Sequence, residues 1–518
     1  MTFFKKPKKL IKENDQNKVS DTSCELESNV YEPPQTIEDL LKKVREPFSS
    51  TEDLRTHWVE LASDKRKIAL LFIDSIVDKQ IIQQQILNPL FEMSKEIDTI
   101  SFEKVISLDL KKQTDFTKSQ ELLLLSNTLI FTDDPSCYYS VVTPEKVDRD
   151  FTEPENEKVI RGSHEGFIEN ISSNVALIRK RLKSPKLLVK YFKLGKETHT
   201  VVAMIYVENL ANPSHVKEVE KRLTSIEADA VMTPGNVEES IEDKPFSPFP
   251  QMLSTERPDR VAANLMEGRI ALVYDSSPTV NVVPVDFFVF YQSPDDYNTR
   301  WILGSFFRFI RLFSFFIAIS LPSFYIAIVS FHFEVIPSAL VLLMKSSLEN
   351  IPYPPLFEAM LMELTIELIR EASVRLHTKI GSTIAIVGGL VIGDSIVKAG
   401  LVSNLMIIVV AVTAIAAYIV PSNEMSGAIR LLRFPLMLAA ATLGFLGIVF
   451  CFMILFFHLC RLYSFGTPYF APIAPFHFSD LKDTFFRMPF WKMNTRPKNI
   501  RPIKESQDNQ TRKWDTDE

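Results

Sequence analysis

From Trp301 to Leu462 the chain is mostly apolar, whereas the residues before it are mixed and charged. This division constrains the fold more than any other feature, because apolar runs long enough to cross ~30 Å of hydrocarbon belong in a membrane rather than in a soluble core. The averages hide it: 518 residues, 46% hydrophobic and 24% charged, with a mean hydropathy of +0.05. A fully soluble globule, a collagen-like chain and a disulfide scaffold are excluded. Four cysteines (Cys24, Cys137, Cys451, Cys460) are too few for a disulfide framework and read as reduced or lipid-facing thiols. A net charge of −6 gives no reason to expect nucleic acid.

The start, MTFFKKPKKLIK, is basic but lacks the apolar core of an export signal. Residues 1–36 read as a disordered basic arm, and the N-terminal region is expected on the cytoplasmic side. Residues 37–150 read as a first α/β subdomain. Its apolar run Ile68–Ile73 suggests a buried strand ended by Asp74 and Ser75, and Asp78–Met93 has helical spacing. Residues 151–300 read as a second subdomain with helices over Phe167–Leu182 and Val216–Ile226. Strands are expected at Pro185–Phe192, Thr198–Tyr206, Arg269–Tyr274 and Val285–Phe290. The fold class is α+β or α/β, two soluble subdomains, followed by an all-α multi-pass membrane domain of four to six helices over 301–460. Residues 461–518 read as a basic cytoplasmic tail.

No phosphate cradle or nucleophile elbow occurs, so no catalytic residue and no cofactor are expected. His164-Glu165 lacks the second histidine of a zincin helix, and no metal ligand set is read. Asp74 and Asp78 read as turn and cap residues.

Four spans are favoured: Phe309–Phe331, Thr383–Ala399, Val402–Val420 and Phe434–His458. Six follow if the acidic helix and the short Ile336–Met344 run also cross. Arg300, Arg308 and Arg311 set the start of the first span on the cytoplasmic side, and Pro322 interrupts it. The four-span arrangement leaves Arg430 and Arg433 outside. Within Leu356–Leu376, Glu363 and Glu367 share a helical face, and Glu371 and Arg375 are spaced to pair. Two readings stand: carboxylates facing a cation pathway, or an amphipathic helix lying on the membrane surface or on protein.

Five of the 15 glycines fall within Gly381–Gly400. Ala385, Gly389 and Gly393 recur every four residues, a small-residue stripe for close helix packing. Val387, Val391 and Ser395 form a second stripe with Asp394 beside it. Asp394 is either a polar lining residue or, with Lys398, a cap at the helix end.

Several longer motifs carry a resemblance. They are Val159-Ile-Arg-Gly-Ser-His-Glu-Gly-Phe-Ile-Glu-Asn170, Ser247-Pro-Phe-Pro-Gln251, Thr255-Glu-Arg-Pro-Asp259 and His332-Phe-Glu-Val-Ile-Pro337. Further along come Arg370-Glu-Ala372, Val387-Gly-Gly-Leu-Val-Ile-Gly393, Phe465-Gly-Thr-Pro-Tyr469 and Arg496-Pro497. Through these the chain resembles the A subunits of spore germinant receptors, the GerA family of endospore-forming bacteria, from about Leu70 to Pro502. It departs from that pattern at Ser163, His377 and Asn404, where proline is expected, and at Ser75 and Ser276, where glycine is expected.

The resemblance implies a multi-pass protein of the spore inner membrane with its large N-terminal region facing the spore core, and the basic flanks of the tail put the C-terminal end on the same side. It implies a transporter-like B subunit that senses the nutrient, a lipoprotein C subunit, and a homo-oligomer forming a nutrient-gated channel for monovalent cations. On that expectation Val387 and Val391 form a constriction, with Ser395 and Asp394 as polar lining. Glu363 and Glu367 are the rival cation-facing set. A secondary transporter and a non-conducting scaffold for the sensing subunit are the alternatives.

Overall fold

The computed structural model describes residues 36–60, 67–93, 106, 108–145, 153–337, 341, 348, 351–375, 393, 395–507, 511 and 514. The chain enters through α1 (Ile37–Arg45), whose N-cap Thr36 accepts from the Asp39 amide and whose Leu40, Leu41 and Val44 face inward. Five antiparallel strands follow: β1 (Leu54–Glu60), β2 (Lys67–Ile73), β3 (Lys111–Gln113), β4 (Asn127–Phe131) and β5 (Tyr138–Val142). Their order across the sheet is β1-β2-β4-β5-β3. The apolar run Ile68–Ile73 is therefore a central strand, with β1 and β4 on its two sides. Asp78 caps the next helical stretch, accepting from the Gln80 and Ile81 amides, while Asp74 meets Lys79 at 3.0 Å.

The second subdomain repeats this topology. Helix α2 (Ile171–Arg181) precedes β6 (Leu187–Leu194) and β7 (Thr200–Val207). Helix α3 (Pro213–Thr224), opened by the Asn212 cap and Pro213, leads toward β8 (Leu253–Thr255), β9 (Ile270–Tyr274) and β10 (Val280–Val283). The order β6-β7-β9-β10-β8 matches the first sheet strand for strand. Every named pairing in both sheets is antiparallel, so the α+β alternative describes the N-terminal half. The expected strand over Val285–Phe290 is replaced by a 3-10 turn at Phe287–Tyr291. Pro284 has no amide to continue the ladder, and the Asp286 carboxylate accepts from the Phe288 and Val289 amides.

The subdomains are joined by a buried ion pair. Arg179 on α2 reaches Asp53 at 2.5 and 2.7 Å and Thr51 at 3.2 Å, and Thr51 in turn accepts from the Val189 amide. The arginine and the aspartate are both fully buried.

The apolar half is helical. Helix α4 (Trp301–Phe331) is one 31-residue rod that continues through Pro322. After it come α5 (Pro355–Arg375), α6 (Asn404–Tyr418), α7 (Asn423–Leu443) and α8 (Phe445–Arg461). By length and composition, α4 and α7 are the described helices able to cross a membrane. The single span expected over Phe434–His458 is corrected: α7 and α8 break at Gly444. Its φ is +60°, and a Cβ there would stand 3.0 Å from His332 Nε2. Beyond the break Gly447 packs on the Ala439 carbonyl, a contact too close for any side chain, so the two helices fold back on each other. Both outer ends return to the second subdomain: Asn423 bonds Asn156 at 3.3 Å, and His458 bonds Ser247 at 2.9 Å. The core is continuous across this boundary, running from Val273 and Phe287 to Phe315, Ala416 and Leu455. The outer faces remain apolar and bare, as at Phe313, Ile415, Phe450 and Ile454.

The described segment after α8 packs back on the second subdomain. Tyr463–Ser464 pairs with Thr467–Pro468. Tyr469 is fully buried, and Arg496 donates to the Met266 carbonyl.

Two of the departures noted in the sequence gain a bond: Ser75 donates to Asp53 at 3.2 Å and Ser163 accepts from Arg181 at 2.7 Å. Asn404 opens α6, a first-turn site that suits proline. Ser276 holds φ +64°, where a side chain costs ~1–2 kcal/mol and glycine costs little. Glycine's extra freedom in the unfolded chain offsets part of that gain, by about 0.4–1 kcal/mol. Ser276→Gly is therefore expected to stabilise the protein by about 0.5–1 kcal/mol in denaturant unfolding; a loss of stability would contradict the strain.

Candidate functional site

Among the described residues, the buried ion pairs of the apolar half lie at two levels. The lower level is the foot of α4. The short helix Pro294–Asn298 is opened by a reciprocal cap between Ser293 and Asp296, which fixes the Asp296 carboxylate. Asp296, 1% exposed, then accepts from Arg311 at 2.8 Å and from Arg308 at 3.3 Å. Arg308, itself fully buried, reaches on to Asp483 at 2.7 Å. Arg487 donates to the Asp296 and Thr299 carbonyls at 2.7 and 2.9 Å. Gly304 lets the helix close on this loop, since a Cβ there would lie 2.7 Å from the Asp296 oxygen. The first apolar helix is thus tied to the end of the second subdomain and to the C-terminal segment at once. The arginines were legible as flanking charges, but their partners Asp296 and Asp483 carry no local signal.

The upper level lies inside the bundle. Pro322 has no amide, so the Ala318 carbonyl four residues earlier loses its helical donor. Arg433 on α7 replaces it, its Nε donating to the Ala318 oxygen at 2.8 Å. The same guanidinium bonds Glu363 of α5, and both side chains are buried. One turn along, Glu367 meets Arg430 at 3.3 Å and Arg370 at 3.9 Å. Arg370 stands over the Tyr418 ring at 5.4 Å. Toward the opposite end of α5, Glu358 accepts from the Ser403 amide, and Ser403 and Tyr325 share a 3.0 Å bond. Glu363 Oε1, Arg433 Nη2 and Glu358 Oε2 are buried with no partner among the described residues.

Arg430 and Arg433 therefore sit within the helical bundle, not outside it as the four-span arrangement had them. Glu363 and Glu367 do share a face, and that face is turned to these two arginines. The local pair Glu371–Arg375 forms at 2.6 Å. Of the small-residue and lining stripes, Gly393 and Ser395 are described, whereas Ala385, Val387, Gly389, Val391 and Asp394 lie outside the described residues. Ser395 is exposed, and no described atom lies within 4 Å of where a Gly393 Cβ would stand. Arg375 and Ser403, which flank this segment, belong to opposite ends of the bundle: α5 runs from the Ser403 contact at Glu358 toward the Tyr418 contact at Arg370.

His164 and Glu165 take separate partners, Glu153 and Arg181. Among the described residues no group of three or more His, Cys, Asp or Glu is placed to hold a metal.

A family model described as "Bacillus/Clostridium GerA spore germination protein" matches residues 42–499. Spore germination protein A1 of Bacillus subtilis (strain 168) is 39% identical over 447 residues, covering 85% of this chain and 92% of that one. The uncharacterized membrane protein YfkQ of the same strain is 39% identical over 432 residues, 83% of this chain and 84% of its own. The crystal structure of the N-terminal domain of the A subunit of the Bacillus megaterium spore germinant receptor GerK3 is 28% identical. It aligns with a TM-score of 0.38, over 49% of this chain and 96% of that chain.

Removing one member of a buried ion pair strands the others and costs ~3–5 kcal/mol. Asp296→Ala is expected to fall in that range in denaturant unfolding of the detergent-solubilised protein, because Arg308 and Arg311 lose a shared carboxylate. A cost below about 1 kcal/mol, the level of a surface pair, would mean that the Asp296 carboxylate is not what holds the foot of α4.

Proposed function

The chain belongs to the GerA family of spore germination proteins, and from that premise we propose that it is the A subunit of a nutrient germinant receptor whose copies assemble into a nutrient-gated cation channel in the spore inner membrane. The reading gives it a transporter-like B subunit as nutrient sensor and a lipoprotein C subunit as partners. Both its termini then face the spore core.

The observation that carries the channel reading is the assignment of charge within the bundle. Glu363 and Glu367 are turned to Arg433 and Arg430, so their charge is engaged in helix packing. That supports the Gly381–Gly400 segment over the glutamates as the pore lining. Val387 and Val391 then form the constriction, with Ser395 and Asp394 as its polar continuation. Among the described residues no side chain packs on Gly393, and Ser395 is exposed, which suits packing against a neighbouring copy through the Ala385, Gly389 and Gly393 stripe. The flanking residues Arg375 and Ser403 stand at opposite ends of the bundle, as a crossing segment requires.

Passive cation flux through the purified full chain in liposomes tests this directly. Val391→Ala widens the constriction and should raise the flux above that of the native chain. No flux from either protein, with oligomers shown intact, would overturn the channel reading in favour of a scaffold for the sensing subunit.

A further inference from the structure

Helix α4 is longer than a membrane is thick. Its 31 residues span ~46 Å, against ~30 Å of hydrocarbon. Its end at His332 packs on the α7–α8 turn, with the His332 ring 4.7 Å from that of Phe445. Setting this end at the far boundary and counting back about 20 residues puts the near boundary at Leu312. Ser305 and Arg308 then lie ~6–10 Å beyond the hydrocarbon, at headgroup depth.

The segment after α8 is fastened at this depth. Asp483 pairs with Arg308, and the Arg487 carbonyl accepts from Ser305 at 2.9 Å. Phe470 packs on Phe456 at the foot of α8, and Phe485 packs on Phe288 of the second subdomain. So fixed, the segment turns large apolar side chains outward: Phe476 is 66% exposed, Phe478 78% and Phe486 57%, with Phe490 and Trp491 beyond them. Its exposed charges are lysines, Lys482 and Lys492. Its Asp483 is taken by Arg308, and Asp480 is occupied by Ser479 and the Lys498 amide.

Resting on the membrane reading above, we propose that residues 473–492 form a lipid-binding collar around the foot of the bundle, with its aromatic side chains in the headgroup layer and Lys482 and Lys492 on anionic phospholipid. Aromatic rings with adjacent lysines are the side chains that suit this layer: the ring seats among the upper acyl carbons, while the ammonium stays at the phosphates. Juxtamembrane lysines on an anionic surface contribute ~1 kcal/mol each. The collar continues the bare apolar face of α4, where Phe306 and Phe309 are exposed at the same level. Because Asp483 and Arg487 also hold Asp296 and Arg308, the collar ties the lipid surface to the lock between the soluble region and the first helix.

The test uses the full chain with Trp491 as its sole tryptophan (Trp58→Phe, Trp301→Phe, Trp514→Phe), reconstituted in vesicles of phosphatidylcholine and phosphatidylglycerol. Trp491 emission should be blue-shifted and lose most of its intensity to a nitroxide near the lipid headgroup, with little loss to aqueous iodide. Adding Lys482→Glu and Lys492→Glu should weaken the nitroxide effect when phosphatidylglycerol is present. Quenching by iodide alone would put the segment in water; quenching by neither would put it under a second copy, and either result overturns the proposal. A companion chain with Trp491→Phe and Phe450→Trp reports on α8. If a nitroxide deep in the acyl layer quenches it while Trp491 is untouched by lipid, the collar fails and the membrane reading stands. If neither position responds to lipid, both fail.

Discussion

Proline removes a hydrogen-bond donor from a helix, and in an apolar bundle the freed carbonyl must find another. At Ala318 the donor is Arg433, and much of the bundle's arrangement follows from that bond. An arginine at such depth is tolerable only with its charge met, which brings Glu363 and its helix to the same point. Three helices are thereby joined at one guanidinium. The neighbouring Glu367–Arg430 pair repeats the join one turn away, setting the register of α5 against α7. At the foot the same chemistry recurs between other partners, where Asp296 gathers Arg308 and Arg311 and binds the first apolar helix to the soluble region.

These two ties define the mechanical path available to a receptor subunit. In the proposed receptor a change in the second subdomain would reach α4 through the loop that carries Asp296, and α4 meets α5 and α7 through Ala318 and Arg433. Discrete ion pairs and packed helices of this kind have distinct arrangements rather than a continuum, which is what gating between closed and open states needs. The Gly381–Gly400 segment begins six residues after the end of α5 in the sequence, so a shift of α5 is the natural input to the proposed constriction.

What the sequence disclosed, and what it did not, divides by range. Ile68–Ile73 was readable as a strand because a short apolar run bounded by turn residues is a local signal, and Glu371–Arg375 was readable because four residues make one helical turn. Glu363 and Arg433 are 70 positions apart on different helices, so no spacing rule joins them. Pro322 was visible, but the partner of its freed carbonyl was not. The strand Leu253–Thr255 is three residues long, too short to show alternation. The shared strand order of the two sheets rests on pairings between distant residues, which no local spacing shows. Gly444 is hidden inside an apolar run that reads as one span; its positive φ, its closeness to His332 and the packing of Gly447 on Ala439 reveal a turn.

The most direct measurement is a double-mutant cycle on Glu363 and Arg433, read as unfolding free energy in detergent. If Arg433 is the tie between Pro322's freed carbonyl and the α5 carboxylate, Glu363→Gln and Arg433→Met will each be costly, and the pair together will cost less than their sum by about 2–3 kcal/mol. Additive effects within about 0.5 kcal/mol would show the two side chains to be independent, and Arg433 would then not be the tie between α4 and α5.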